Sequence, residues 1–162
     1  MRCLTNSEIH KWLAGQGMRH QPLEAGVPFA GDFPSPAESS DRQILGDYLA
    51  DLMAKDGNKL IEILPGPQFG SGEWEQLDTL RAESGEERSV ITAPGHLFKS
   101  GDREAFRQLL HQLSGSATPW TFYIYGAPSR TIVRVGASIA IWSLKKGPRN
   151  ELGRHLAPEQ AA

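Results

Sequence analysis

Apolar residues recur along this chain in two rhythms, one helical and one extended. In three stretches they return every three or four positions, the spacing of a single helical face. Ile9, Trp12 and Leu13 make the first. Its entry, Thr5-Asn6-Ser7-Glu8, has the form of a capping box, with Leu4 and Ile9 placed as a hydrophobic staple and Gly15 and Gly17 as stops. Ile44, Leu45, Tyr48, Leu49, Leu52 and Met53 make the second, capped at Ser39 or Ser40 and ended by Gly57. Ala105, Phe106, Leu109, Leu110 and Leu113 make the third, over Asp102 to about Leu113. A weaker stripe, Trp74, Leu77 and Leu80, predicts a helix over Glu73 to Ala82.

The extended rhythm begins with Leu60 to Leu64, a short apolar run closed by Pro65-Gly66-Pro67, which reads as a buried strand. Ser89 to Ala93, ended by Pro94-Gly95, reads as a second. Trp120 to Tyr125, Thr131 to Val135 and Ser138 to Leu144 are dense in aromatic and β-branched residues and predict an antiparallel meander. A two-residue turn at Gly136-Ala137 would set Val135 opposite Ser138 and Val133 opposite Ala140. The fold expected is α+β, a mixed sheet of about five strands with a C-terminal antiparallel three-stranded meander, packed by three to four helices. The whole chain, 1–162, reads as one domain. Residues 18–40, with Pro22, Pro28, Pro34 and Pro36, read as an extended connection lying against the body. Residues 145–162 read as a frayed tail with a brief turn of helix around Arg149 to Leu156.

Charge and cysteine usage narrow the setting. The 17 basic and 19 acidic residues leave a net charge of −2, without the basic excess that phosphate contacts demand, so nucleic acid is disfavoured as a partner. Cys3 is the single cysteine and cannot form an intramolecular disulfide. No apolar run approaches the roughly eighteen residues of a membrane helix, and Met1 to Ser7 lack a secretory pattern. A cytoplasmic protein with no membrane contact is expected.

Little in the sequence carries chemistry. Gly70-Ser71-Gly72 lacks the lysine of a phosphate-binding loop, and no serine sits in a nucleophile elbow. None of His10, His20, His96, His111 and His155 pairs at the close spacing of a zinc site, so no metal or cofactor is expected. His96, following Pro94-Gly95, is the best acid–base candidate, with Glu73 or Asp102 to assist it from neighbouring loops. Each has a plainer explanation, a surface histidine and two carboxylates at helix starts. Cys3 would be a nucleophile only if its pKa were lowered. Alternation along Trp120 to Tyr125 puts Tyr123 and Tyr125 on the face away from Phe122 and Ile124, with Arg130 and Arg134 beside them. Tyrosine and arginine together suit a protein-binding surface, and the plainer alternative is that the tyrosines cover the sheet or pack beneath a helix.

The run from Phe98 through Arg103-Glu-Ala-Phe106 to Leu110, then Trp120 to Gly126 and Thr131 to Val135, resembles the helix-then-meander end of small bacterial immunity-type proteins. The resemblance covers the last third to two-fifths of the chain. It implies a non-catalytic domain that binds and neutralises a cognate toxin, with Tyr123, Tyr125, Arg130 and Arg134 as binding residues. The alternative is a small enzyme with a loop site around His96 and Glu73 or Asp102.

Overall fold

The computed structural model describes residues 1–26, 31–66, 74–116 and 120–143, together with 152, 154 and 156. One antiparallel sheet of seven strands organises them, in the order β1-β4-β3-β5-β6-β7-β2. The strands are β1 (Arg2–Leu4), β2 (Gly31–Pro34), β3 (Asn58–Ile63), β4 (Gly95–Phe98), β5 (Phe122–Ala127), β6 (Thr131–Val135) and β7 (Ser138–Trp142). The helices are α1 (Asn6–Gly15), α2 (Ser39–Leu52), α3 (Trp74–Glu83) and α4 (Arg103–Gly115). The fold is α+β, as the pattern predicts.

Local chemistry explains the helices. The Thr5 hydroxyl accepts the Glu8 amide and the Glu8 carboxylate accepts the Thr5 amide at 2.9 Å, so the capping box at α1 is complete. Gly17, at φ +64°, turns the chain after the helix in a conformation that side chains resist. Leu45 and Leu49 of α2, with Phe106, Leu109, Leu110 and Leu113 of α4, are buried against one sheet face. There they meet Ile61 of β3, Ile124 of β5, Val133 of β6 and Ile141 of β7. The opposite face buries Leu60, Tyr123, Tyr125 and Ile132 beneath Ile9 and Leu13 of α1 and Met18. The central strands β3, β5 and β6 therefore bury both sets of alternating side chains, which is why their apolar runs are nearly continuous.

Where the pattern predicts a mixed sheet of about five strands, the structure has seven, all antiparallel. The two extra strands, β1 and β2, are three and four residues long and close the two edges. They are too short to show a period of two, and Pro34 is tolerated at the end of β2 because that strand is at the edge. The Ser89–Ala93 run is a turn rather than a strand. The Ser89 carbonyl accepts the amides of Thr92 and Ala93, and the strand begins at Gly95. The β6–β7 register is one residue away from the expected one, with Val135 opposite Ile139 and Val133 opposite Ile141. That pairing collects all four apolar side chains on the α2/α4 face, a stronger preference than a two-residue turn. In the stretch expected to fray, Leu152 and Leu156 are helical and pack on the main core. Among the described residues, no helix is long and apolar enough to cross a membrane.

Candidate functional site

Three of the four residues proposed for binding come together on one face, the two tyrosines beneath the surface and Arg134 half-buried. Tyr123 of β5 lies opposite Glu62 of β3 on one side and Arg134 of β6 on the other, so the three form a row across the sheet. Tyr125 follows two positions on, its ring stacked on Tyr123 at 5.6 Å. Both tyrosines are fully buried. Of the two readings the sequence leaves open, an exposed binding face or tyrosines that cover the sheet, the structure has the second, with α1 and residues 18–26 lying over the tyrosines. Arg130 is exposed in the β5–β6 turn, and a Cβ at Gly17 would lie 3.3 Å from its guanidinium.

Residues 18–26 are held by that row. Glu62 Oε1 accepts from His20 Nε2 at 2.7 Å and from Gln21 Nε2 at 2.6 Å, and Oε2 accepts from the Tyr125 hydroxyl at 2.9 Å. Each tyrosine oxygen also accepts a backbone amide, Gln21 at Tyr125 and Leu23 at Tyr123, both at 3.1 Å. The Tyr123 hydroxyl donates to Glu24, which also accepts Arg134 Nε at 3.1 Å. Burial, then the neighbouring carboxylates, push both phenols well above their ordinary range, so they stay protonated and can donate. The His10 ring lies 4.0 Å from that of His20. The arrangement is a latch, in which Glu62 spends both oxygens on the fold and offers no free general base. Glu62, His20, Gln21 and Glu24 are the residues missed by sequence reasoning. The available signal was Glu62, the lone carboxylate within the apolar run Leu60–Leu64.

His96 is not on a strand-end loop. It is the second residue of β4, fully buried, opposite Ile61 and Cys3. Its Nδ1–H donates to the Pro94 carbonyl at 3.1 Å, which leaves Nε2 to accept from Arg81 Nη1 at 2.6 Å. Burial, and next the Arg81 charge, pull its pKa down to about 3, so it is a neutral acceptor for a buried guanidinium. Arg81 donates also to the carbonyls of Ala93 and Arg88. Asp102 does not join this group. It precedes α4, where it accepts the Lys99 amide and pairs with the Met1 amino group at 3.5 Å. Glu73 lies outside the described residues. Cys3 is buried, and burial pushes its thiol up to about 11, which opposes a nucleophilic role. His111 pairs with Asp47 of α2 at 2.9 Å.

No family model, curated protein or solved structure matches the chain.

Among the described residues, no group of three or more His, Cys, Asp or Glu side chains is arranged to hold a metal ion. Depressions lined by described residues lie at three places. A cavity of about 110 Å³ beside the latch is lined by Asn6, Gln21, Glu62, Leu64 and Ile91, among others. A second, of about 330 Å³, is walled by Glu8, Glu86 and Arg88, with Arg88 paired to both carboxylates. The third, of about 380 Å³, is a groove between the end of β2 and α2, lined by Pro34, Ser35, Pro36, Asp41, Ile44 and Leu156. Among the described residues, Ile44 and Ile91 are the large apolar side chains left exposed, at 55% and 61%.

Proposed function

We propose that this chain is a non-catalytic protein-binding domain, and in finer terms an immunity-type protein that binds and neutralises a cognate toxin in the cytoplasm. One observation carries the reading: the reactive side chains inside the fold are occupied by the fold itself. Glu62 is saturated by His20, Gln21 and Tyr125, His96 by Arg81 and Pro94, and buried Asp56 by the amide and hydroxyl of Ser129. A catalytic acid or base has to reach a substrate proton, and none of these groups is free to do so. What the surface offers instead is exposed apolar area at Ile44 and Ile91, each beside a depression. The finer reading draws support from the order β4, α4, then the β5–β6–β7 meander, the arrangement behind the resemblance to immunity-type proteins.

The reading is tested by reconstitution. A protein recovered with the tagged chain from its native cells is purified separately and titrated into it by calorimetry. A saturable complex of fixed stoichiometry supports protein binding, and inhibition of the partner's toxicity supports the finer reading. A chain that binds no protein but turns over a small molecule would contradict both.

A further inference from the structure

We propose that residues 19–26 form a strap that opens as a unit from the sheet, and that the face beneath it, Tyr123, Tyr125 and Arg134, receives an extended, carboxylate-bearing segment of the protein partner. The second half rests on the protein-binding reading; the first does not.

The strap is fastened at its start and lightly held along its length. Met18 is buried, and its amide donates to the Leu13 carbonyl at 3.0 Å, so it stays with α1. Gly26 closes the segment at φ +70°, with open space where a Cβ would stand. Between them the backbone joins no strand of the sheet. Its internal bonds are two short turns, Ala25 to the Gln21 carbonyl and Gly26 to the Leu23 carbonyl. The ties to the body are the hydrogen bonds of the latch, which water replaces as the strap lifts, so each contributes little net. Pro22 is buried and Leu23 partly so, a small apolar cover. Gln21 stands at φ +38°, in the left-handed region that a side chain resists, and opening releases that strain. The sheet does not lean on the strap, because β5 is paired with β3 on one side and β6 on the other. A segment tied in this way opens at a lower free energy than the sheet unfolds.

The strap also shows what the face accepts. The amides of Gln21 and Leu23, two residues apart, meet the hydroxyl oxygens of Tyr125 and Tyr123. The Glu24 carboxylate, one residue on, accepts from both the Tyr123 hydroxyl and Arg134. A partner segment that takes its place needs the same parts in the same order. With the strap lifted, the hydroxyl ends of two stacked tyrosines and a guanidinium are open, and these residue types carry much of the energy of protein interfaces. While closed, the strap withholds that face, and the partner's affinity falls by the fraction of molecules that are open.

The test uses the full chain and Glu24→Ala, an exposed position whose truncation leaves the core intact. In native-state hydrogen exchange the Gln21 and Leu23 amides should open at least about a hundredfold more often than the β3–β5 ladder, at a rate that low urea leaves unchanged. N-Acetylimidazole, which passes its acetyl group to an accessible phenol oxygen as imidazole leaves, should label Tyr123 and Tyr125 well below the urea transition. Glu24→Ala should quicken the exchange and the labelling by the same factor, about tenfold. Exchange or labelling that appears only with global unfolding, or that Glu24→Ala leaves unchanged, would overturn the strap. The protein purified for the reconstitution should block the labelling, and should bind Glu24→Ala about tenfold more tightly than the native chain. Equal or weaker binding to Glu24→Ala, or a complex in which the tyrosines still react, overturns the binding face and leaves protein binding standing. A chain that binds no protein removes that reading and the face with it, while exchange and labelling still decide the strap.

Discussion

Falling pH charges any histidine that stays in water, and His96 can be charged only at the expense of the fold. Its ring is fully buried, its Nδ1–H is committed to Pro94, and its Nε2 lone pair faces the Arg81 guanidinium at 2.6 Å. A proton on Nε2 would set two cations against each other in a dry site. The folded pKa is accordingly about 3, against an ordinary 6.5. As pH drops through 6.5 the unfolded chain takes up a proton that the folded chain refuses, so stability is complete above that value and drains away below it. The slope is about 1.4 kcal/mol per pH unit, which gives about 2 kcal/mol lost by pH 5 and about 4 kcal/mol by pH 3. A domain of this size is held by about 5–15 kcal/mol, so the loss is a large fraction of the whole. Depressed carboxylates such as Glu86, at about 2, add their own loss only below about pH 4.5. The informative window is therefore pH 5 to 6.5. Urea unfolding across it, followed by tryptophan fluorescence, should show a slope about 1 kcal/mol per pH unit steeper in the native chain than in His96→Gln. The His96 ring resonances should stay constant between pH 7 and 5. A His96 midpoint near 6.5, or parallel slopes for the two proteins, would refute the reasoning.

Other substitutions separate the buried contacts from the exposed ones. Glu62→Ala strands three donors beneath residues 18–26 and should cost about 3–4 kcal/mol in urea unfolding, with Tyr125→Phe costing about 1–2 kcal/mol. Both variants should raise hydrogen exchange at Gln21, whose amide is accepted by the Tyr125 hydroxyl. At Gly126 an added Cβ would lie 2.3 Å from Asp56 Oδ2, an oxygen already anchored by Ser129, so Gly126→Ala should destabilise by about 2–3 kcal/mol in thermal unfolding. Arg42→Ala should cost about 2–3 kcal/mol because it releases the carbonyls of Ser114 and Ser116 at the end of α4. Arg103→Ala, which loses only an exposed pair with Asp51, should change urea stability by less than about 0.5 kcal/mol.

Helices were legible because their signals are local. Thr5 and Glu8 are three residues apart and complete α1, and the stripes of α2 and α4 land on the core except at Ile44, which is left exposed. The strands were legible where they are long. β1 and β2 have too few residues for a pattern, and they pair with β4 and β7, about ninety and about one hundred residues away. The β-branched run at Ser89–Ala93 misleads because Ser89 closes a turn there, leaving Val90 buried and Ile91 exposed. The site shows the same division. Alternation places Tyr123 and Tyr125 correctly on the face away from α2 and α4. What covers them, residues 18–26, lies some hundred positions earlier in the chain, and only the folded topology brings Glu24 to Tyr123 and Gln21 to Tyr125. His96 looked like a loop residue because Pro94-Gly95 resembles a strand end, whereas Gly95 begins the strand.

Glu62 and His96 are committed to the fold, and the proposed function is the binding of another protein. Native mass spectrometry of the tagged chain, recovered from its own cells under gentle conditions, tests it most directly. A protein-binding domain should appear as a heterocomplex of fixed stoichiometry between the 17.8 kDa chain and one protein partner. The chain alone, or the chain carrying a bound small molecule that it converts, would contradict it.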